Sequence, residues 1–130
     1  MDNTILAGKY IRKIMVENEE LSALLPSSKI FPLIANPDTT YPFIVYSRDN
    51  ITPVYTKDIL SDNDLSFTVI VVSDDYVQSL DIANAVRHAL ESYRYKDEII
   101  NIHPIKLLSA TEETIEDAYI QRMNYIFKAN

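Results

Sequence analysis

The sequence predicts an α+β fold: a mostly antiparallel sheet of four to five strands, with an N-terminal helix and one central crossover helix packed on one face. Three observations predict it. Leu65, Phe67, Val69 and Val71 alternate with Ser66, Thr68, Ile70 and Val72, the period-two pattern of a strand. Four residues later an apolar stripe of helical period begins, with Tyr76, Leu80, Ala83, Val86 and Leu90 recurring every three or four residues and Ile82, Ala89 and Tyr93 widening it. The other strand-like stretches come in neighbouring pairs on either side of this helix, which favours antiparallel pairing with the helices on one face.

Taken in order, Asn3 or Thr4 is placed to cap a first helix running to about Val16, with Leu6, Ala7, Tyr10, Ile11 and Ile14 inward and Lys9, Arg12 and Lys13 on the opposite face. That basic face is either solvated or a dock for an acidic partner, and solvation is the commoner outcome. Asn18 suits the cap of a short second helix, with Leu21, Leu24 and Leu25 inward and Pro26 ending it. Ile30, Phe31, Leu33 and Ile34 predict a short strand that Pro32 confines to an edge or a bulge. Tyr41 to Arg48 is a stronger strand, with Ile44, Tyr46 and Arg48 on one face and Phe43, Val45 and Ser47 on the other.

Asp49 to Asp64 mixes strand-like Thr52, Val54, Tyr55 and Thr56 with Pro53 and several acids. It reads as a long excursion, either an extended hairpin arm reaching a neighbouring subunit or a mobile loop. Ser73 or Asp74 can cap the central helix. Beyond it, Ile99 to Leu108 is expected to be a strand interrupted at Pro104, Ala110 to Asp117 an acidic connection, and Ala118 to Lys128 a final strand. There Tyr119, Gln121, Met123, Tyr125 and Phe127 alternate with Ile120, Arg122, Asn124, Ile126 and Lys128.

Composition narrows the function. The 130 residues are expected to form one domain, long enough to bury roughly two thirds of the unfolded surface. No apolar run approaches a membrane span, and the first residues lack the pattern of a secretion signal. Without cysteine there are no disulfides or thiolate metal sites. With only Gly8, phosphate-cradling loops and nucleophile elbows are excluded, and turns fall to Asn, Asp and Pro, as at Asn36-Pro37-Asp38, Asp49-Asn50 and Asp62-Asn63. The net charge of -7 disfavours wrapping a nucleic-acid backbone. Six Asp and no Lys or Arg lie between Asp58 and Asp81. Their spacing fits no EF-hand loop, so solvated loop charge is the preferred reading over a cation site. His88 and His103 belong to no metal-ligand spacing, and a structural strand histidine is the simpler reading of His103 than a catalytic base. No catalytic, cofactor or metal residue is therefore assigned.

Several patterns occur in an order that resembles the tail-completion, or tail-terminator, proteins of long-tailed bacteriophages and prophages. They are Ile30-Phe31-Pro32, the strand Pro42-Phe43-Ile44-Val45-Tyr46, and a helix opened by Ser73 to Tyr76 that carries Ala83-Asn84-Ala85-Val86-Arg87-His88-Ala89-Leu90. The last is a closing strand with Tyr119, Arg122, Tyr125 and Phe127. The resemblance implies a structural protein without enzymatic activity or cofactor, assembled as a homo-oligomeric ring, typically a hexamer, at the head-proximal end of the tail tube. It would end tube polymerisation and join tail to head, with the tail-tube and head-connector proteins as partners. The expected location is the virion tail, after assembly in the host bacterial cytoplasm. DNA would pass through the lumen without sequence-specific contact. Subunit-interface candidates are Arg48, Val54, Tyr55, Lys57, Tyr119 and Arg122. Two other classes stand beside this reading. A small-molecule-binding, ferredoxin-like regulatory domain requires an apolar pocket between helix and sheet. An enzyme using His103 or His88 requires a cleft bringing a histidine to a carboxylate.

Overall fold

A computed structural model describes residues 2–57 and 59–130. The predicted first helix is a single tight turn, Thr4–Leu6, followed by α1 (Ala7–Glu17). Ala7, Tyr10, Ile11 and Ile14 are buried as expected and Met15 joins them, while Leu6 stays exposed. Neither Asn3 nor Thr4 provides a side-chain cap; the Asp2 carboxylate instead accepts the Thr4 N–H at 2.9 Å. Asn18 does cap α2 (Glu19–Leu24), its side chain accepting the Leu21 N–H. Leu21 and Leu25 are buried, but Leu24 faces solvent.

β1 is only Ile30–Pro32, an edge strand pairing parallel with Ile44–Tyr46 of β2 (Phe43–Thr56). Leu33 and Ile34 lie outside it, 74% and 79% exposed. β2 pairs antiparallel with β3 (Ile59–Ser73) along its whole length, with bulges between Arg48 and Asn50 and between Val54 and Tyr55. The 49–64 segment is thus a β-hairpin arm rather than a loop. α3 (Tyr76–Leu90) follows, and Asp75, not Ser73 or Asp74, caps it by accepting the Gln78 N–H at 3.0 Å. Its buried face is Ser79, Ile82, Ala85, Val86, Ala89 and Leu90. The sequence reading placed the stripe too far round, for Tyr76 and Leu80 are about 40% exposed.

The expected strand from Ile99 to Leu108 is broken. β4 (Tyr95–Lys96) and β5 (Asn101–Ile102) form a minimal hairpin, and β6 (Lys106–Ile115) begins after Pro104. Ala110 to Ile115, expected as a connection, is strand: β6 pairs antiparallel with β7 (Ala118–Ala129) down to Ile115 opposite Ala118. The sheet therefore has seven strands rather than four or five, ordered β1-β2-β3-β7-β5-β4, with β6 beside β7 on the same flank as β5. It is mixed because β1 is parallel to β2.

The strand faces divide cleanly. Ile44, Tyr46, Leu65, Phe67, Val69, Val71, Met123, Tyr125 and Phe127 form one core with the buried residues of α1, α2 and α3. On the other face a small cluster of Val72, Ala118 and Ile120, flanked by Phe43 and Ile70, has no helix over it. Gly8 stands against Phe67: a Cβ placed there would lie 3.8 Å from the ring. The turns differ from expectation. Asn36 does accept the Thr39 N–H, but Asn50 and Asn63 are paired within strands. The positive φ angles fall on Leu33, Lys57, Ser92 and Glu116. No described helix is long and apolar enough to cross a membrane.

Candidate assembly surface

The arm extends beyond the rest of the sheet. β1 covers β2 only from Ile44 to Tyr46, and β7 reaches β3 only as far as Asn63. Beyond these limits the hairpin runs as two strands alone, from Val54 opposite Asp62 to Thr56 opposite Ile59. Tyr55 is 63% exposed, Val54 is half-buried, and Lys57 holds the tip turn at φ 52°. Tyrosine there adds a large amphipathic ring to a ribbon that packs on nothing else among the described residues.

The other interface candidates lie elsewhere. Arg48, at the base of the arm, donates to the Ile5 carbonyl at 3.2 Å and ties β2 to the first turn. Tyr119 is opposite Ser73 at the far end of β3, roughly 45 Å of strand from the tip. Its ring meets Tyr76 edge-on, with centroids 5.5 Å apart. Arg122 lies on the helix-free face and is paired with Glu113 at 2.7 Å. The six candidates therefore occupy three places: the tip, its base and the β7 end of the sheet.

The acids do not form one cluster. Asp62 and Asp64 are near the arm, where Lys128 pairs with Asp64 at 2.7 Å and Asn130 donates to Asp62. Asp74 and Asp75 lie at the other end of β3, roughly 30 Å away, with Asp81 farther along α3. Asp58 lies outside the described residues. Among those described, no three His, Cys, Asp or Glu side chains converge as metal ligands would.

Two features were not anticipated. Glu112 accepts from the Tyr76 phenol and the Gln121 amide, both at 3.0 Å, and Gln121 also reaches Ser79. The amide and phenol donors hold the Glu112 carboxyl below its usual range, the amide most strongly, and the phenol's own bond to Glu112 pushes Tyr76 up. This joins β6, β7 and the start of α3. The second is the outer edge of β6, a ten-residue strand that pairs only with β7, at every residue but the bulged Leu108, and in which all but Leu107 are exposed. The missed signal was Thr111 and Thr114, β-formers among the acids.

The two histidines lie apart, His88 on α3 and His103 beside the arm base. His88 meets Glu20 at 2.9 Å, but both side chains are about half exposed. His103 lies 3.8 Å from Asp62, beyond hydrogen-bond length, and its buried Nε2 has no partner. It borders a cleft of about 590 Å³ between the arm base and Pro104, lined also by Lys106, Lys128 and Ile126. A cleft of about 760 Å³ lies over Phe43, Val72 and Ile120. Both open on the helix-free face, not between helix and sheet where a ferredoxin-like pocket was expected.

A family model described as "Tail completion protein gp17" matches residues 9–126. The chain belongs to this family. It is a structural protein of the phage tail, and the match runs from within α1 to within β7. No curated protein matches the chain in sequence. Among solved structures, a chain of the "Virion of native gene transfer agent (GTA) particle" is similar in fold. It has a TM-score of 0.79 at 13% identity, covering 92% of this chain and 90% of that one. At that identity the likeness is one of fold, and it extends over nearly the whole tail-completion domain.

Proposed function

We propose that this tail-completion protein forms a closed homo-oligomeric ring on the head-proximal end of the tail tube, ends tube polymerisation there and joins tail to head. The projecting hairpin arm carries this reading. A ring is built from heterologous contacts, which need two different patches on each subunit. The arm tip of Val54, Tyr55 and Lys57 is one patch, and the β7 end of the sheet, with Tyr119 and Arg122, is another about 45 Å away along the strands. The head connector and the tail-tube protein then occupy the two rims. The net charge of -7 supports a lumen through which DNA slides without adhering. Assembly takes place in the bacterial cytoplasm before the finished tail becomes part of the virion. No residue is assigned to catalysis or to a cofactor.

The test replaces Tyr55 and Lys57 together, as Tyr55→Ser with Lys57→Glu, in a phage that depends on this gene. Electron microscopy of the lysate reads tail length and head attachment. The expected outcome is tubes of irregular length and heads without tails, with the purified variant melting as the wild type does. Uniform, head-bound tails from the variant would remove the arm from the mechanism. Intact joining in phage lacking the protein altogether would remove the terminator role.

A further inference from the structure

The sheet ends in two long unpaired edges on opposite flanks. On one flank, β2 is covered by β1 only from Ile44 to Tyr46, leaving Ser47–Thr56 bonded to β3 alone. On the other, the whole of β6, Lys106–Ile115, is bonded to β7 alone. Long unpaired strands are templates for added strands, and soluble chains usually blunt them. Here neither edge is covered, and the two are of matching length.

We infer that these edges join to each other between copies: β6 of one subunit adds to the free stretch of β2 in the next, making one sheet continuous around the assembly. The inference rests on the ring reading and makes its contact edge to edge, the arm tip of one subunit meeting the Lys106 end of β6 in the next rather than the Tyr119 and Arg122 patch. Three observations commit it to a second copy of this chain. First, direction fits. β2, β3, β7 and β6 are successively antiparallel, so β2 and β6 run in opposite senses within a subunit. Rotation about a ring axis preserves strand sense, so the joint is an antiparallel pairing. Second, the joint has a stop. In that pairing the β6–β7 turn meets the end of β1, where Leu33 and Ile34 stand 74% and 79% exposed; Ile115, itself 53% exposed, arrives beside them. Third, the flanks differ in charge. Arg12, Lys29 and Arg48 lie beside the β1–β2 edge. Glu116 and Asp117 form the turn after β6 that meets it, while Glu113 is already paired with Arg122.

The outward donors of β6 follow from the pairing. Lys128 and Asn130 direct their carbonyls toward β5, so the even-numbered residues of β7 bond on the β5 and β6 side. Their β6 partners, Thr111 opposite Arg122 and Glu113 opposite Ile120, therefore bond inward. Ala110, Glu112 and Thr114 point their N–H groups out. Thr114→Pro removes one outward donor and no bond to β7.

Because the chain contains no cysteine, the joint can be tested by paired substitutions. Thr52→Cys is combined in turn with Ser109→Cys, Ala110→Cys and Thr111→Cys, and each purified full-length variant is oxidised at high concentration. A non-reducing gel then reads the products, beside native mass spectrometry of wild type and Thr114→Pro. The expected result is a ladder rising past the dimer for at least one pair, and no more than dimers from any single cysteine. Thr114→Pro should weaken self-association at least about tenfold, with its melting point within a few degrees of wild type. Assembled wild type with no ladder in any pairing, and Thr114→Pro unchanged, would overturn the edge joint and leave the ring reading standing. A wild type that stays monomeric at every concentration would overturn both.

Discussion

At the residue scale, the lone glycine is not there for its backbone freedom. Gly8 lies in α1 without a positive φ, and the space beside it takes a methyl group at ordinary contact distance from Phe67. Glycine inside a helix costs about 0.5–1 kcal/mol relative to alanine. Gly8→Ala should therefore stabilise the protein by about that amount, read from denaturant midpoints at unchanged slope. Asp97 gives a second test. Its carboxylate accepts the Ile100 and Ile99 N–H groups and the Tyr95 phenol, and these bonds, the Ile100 one foremost, hold it below its ordinary value. Asp2, Glu91 and Glu112 are lowered too, chiefly by the Thr4 N–H, Arg87 and Gln121 respectively. A depressed carboxyl stabilises fully above its unfolded pKa of about 4 and loses that stabilisation as pH falls through the lower folded value. The melting temperature should hold from pH 7 to about 5 and drop below 4. Asp97→Asn, which keeps an acceptor but cannot titrate, should flatten that drop.

At the scale of elements, Asp75 is the cap of α3, so Asp75→Ala should cost about 1 kcal/mol. The corrected helix face makes a sharper prediction. Ile82 is 1% exposed and Leu80 is 39% exposed, so Ile82→Ala should cost about 2–5 kcal/mol while Leu80→Ala stays within about 1. Thermal melts of the pair decide between the two stripes. The sequence reading set the α3 stripe partly wrong because apolar residues extend almost around the helix, and because Ser79 is buried by donating to the Tyr76 carbonyl of the same helix. β3 and β7 were legible because their alternation reflects a face against helices. β6 was not, since an edge strand exposed almost throughout places no demand on which residues alternate. The arm was named as one of two options; strand propensity in Thr52 to Thr56 was visible, and the bulges that accommodate it were not. Of the interface candidates, the arm residues do cluster, whereas Arg48 and Tyr119 were placed by contacts between distant parts of the chain and Arg122 by its pairing across the β6–β7 hairpin.

At the scale of the whole molecule, the ring proposal has folding and assembly draw on different surfaces. The core lies between three helices and one face of the sheet, and the arm tip adds little to it. Tyr55→Ser with Lys57→Glu should therefore change the unfolding free energy by less than about 0.5 kcal/mol while abolishing oligomers in light scattering. A large loss of stability would place the arm in the folding core.

The central place of β7 has a temporal consequence. It pairs with β3, β5 and β6 at once, and its Met123, Tyr125 and Phe127 complete the main core. During synthesis, α1 through α3 emerge before the strand that covers their sheet exists. Until residues 118–129 have left the ribosome, the nascent chain exposes half a core and an unfilled slot in the sheet. A pulse-chase protease assay should find stalled chains ending before Ala118 fully cleavable and longer ones resistant, so that this subunit becomes competent for assembly in a single late step.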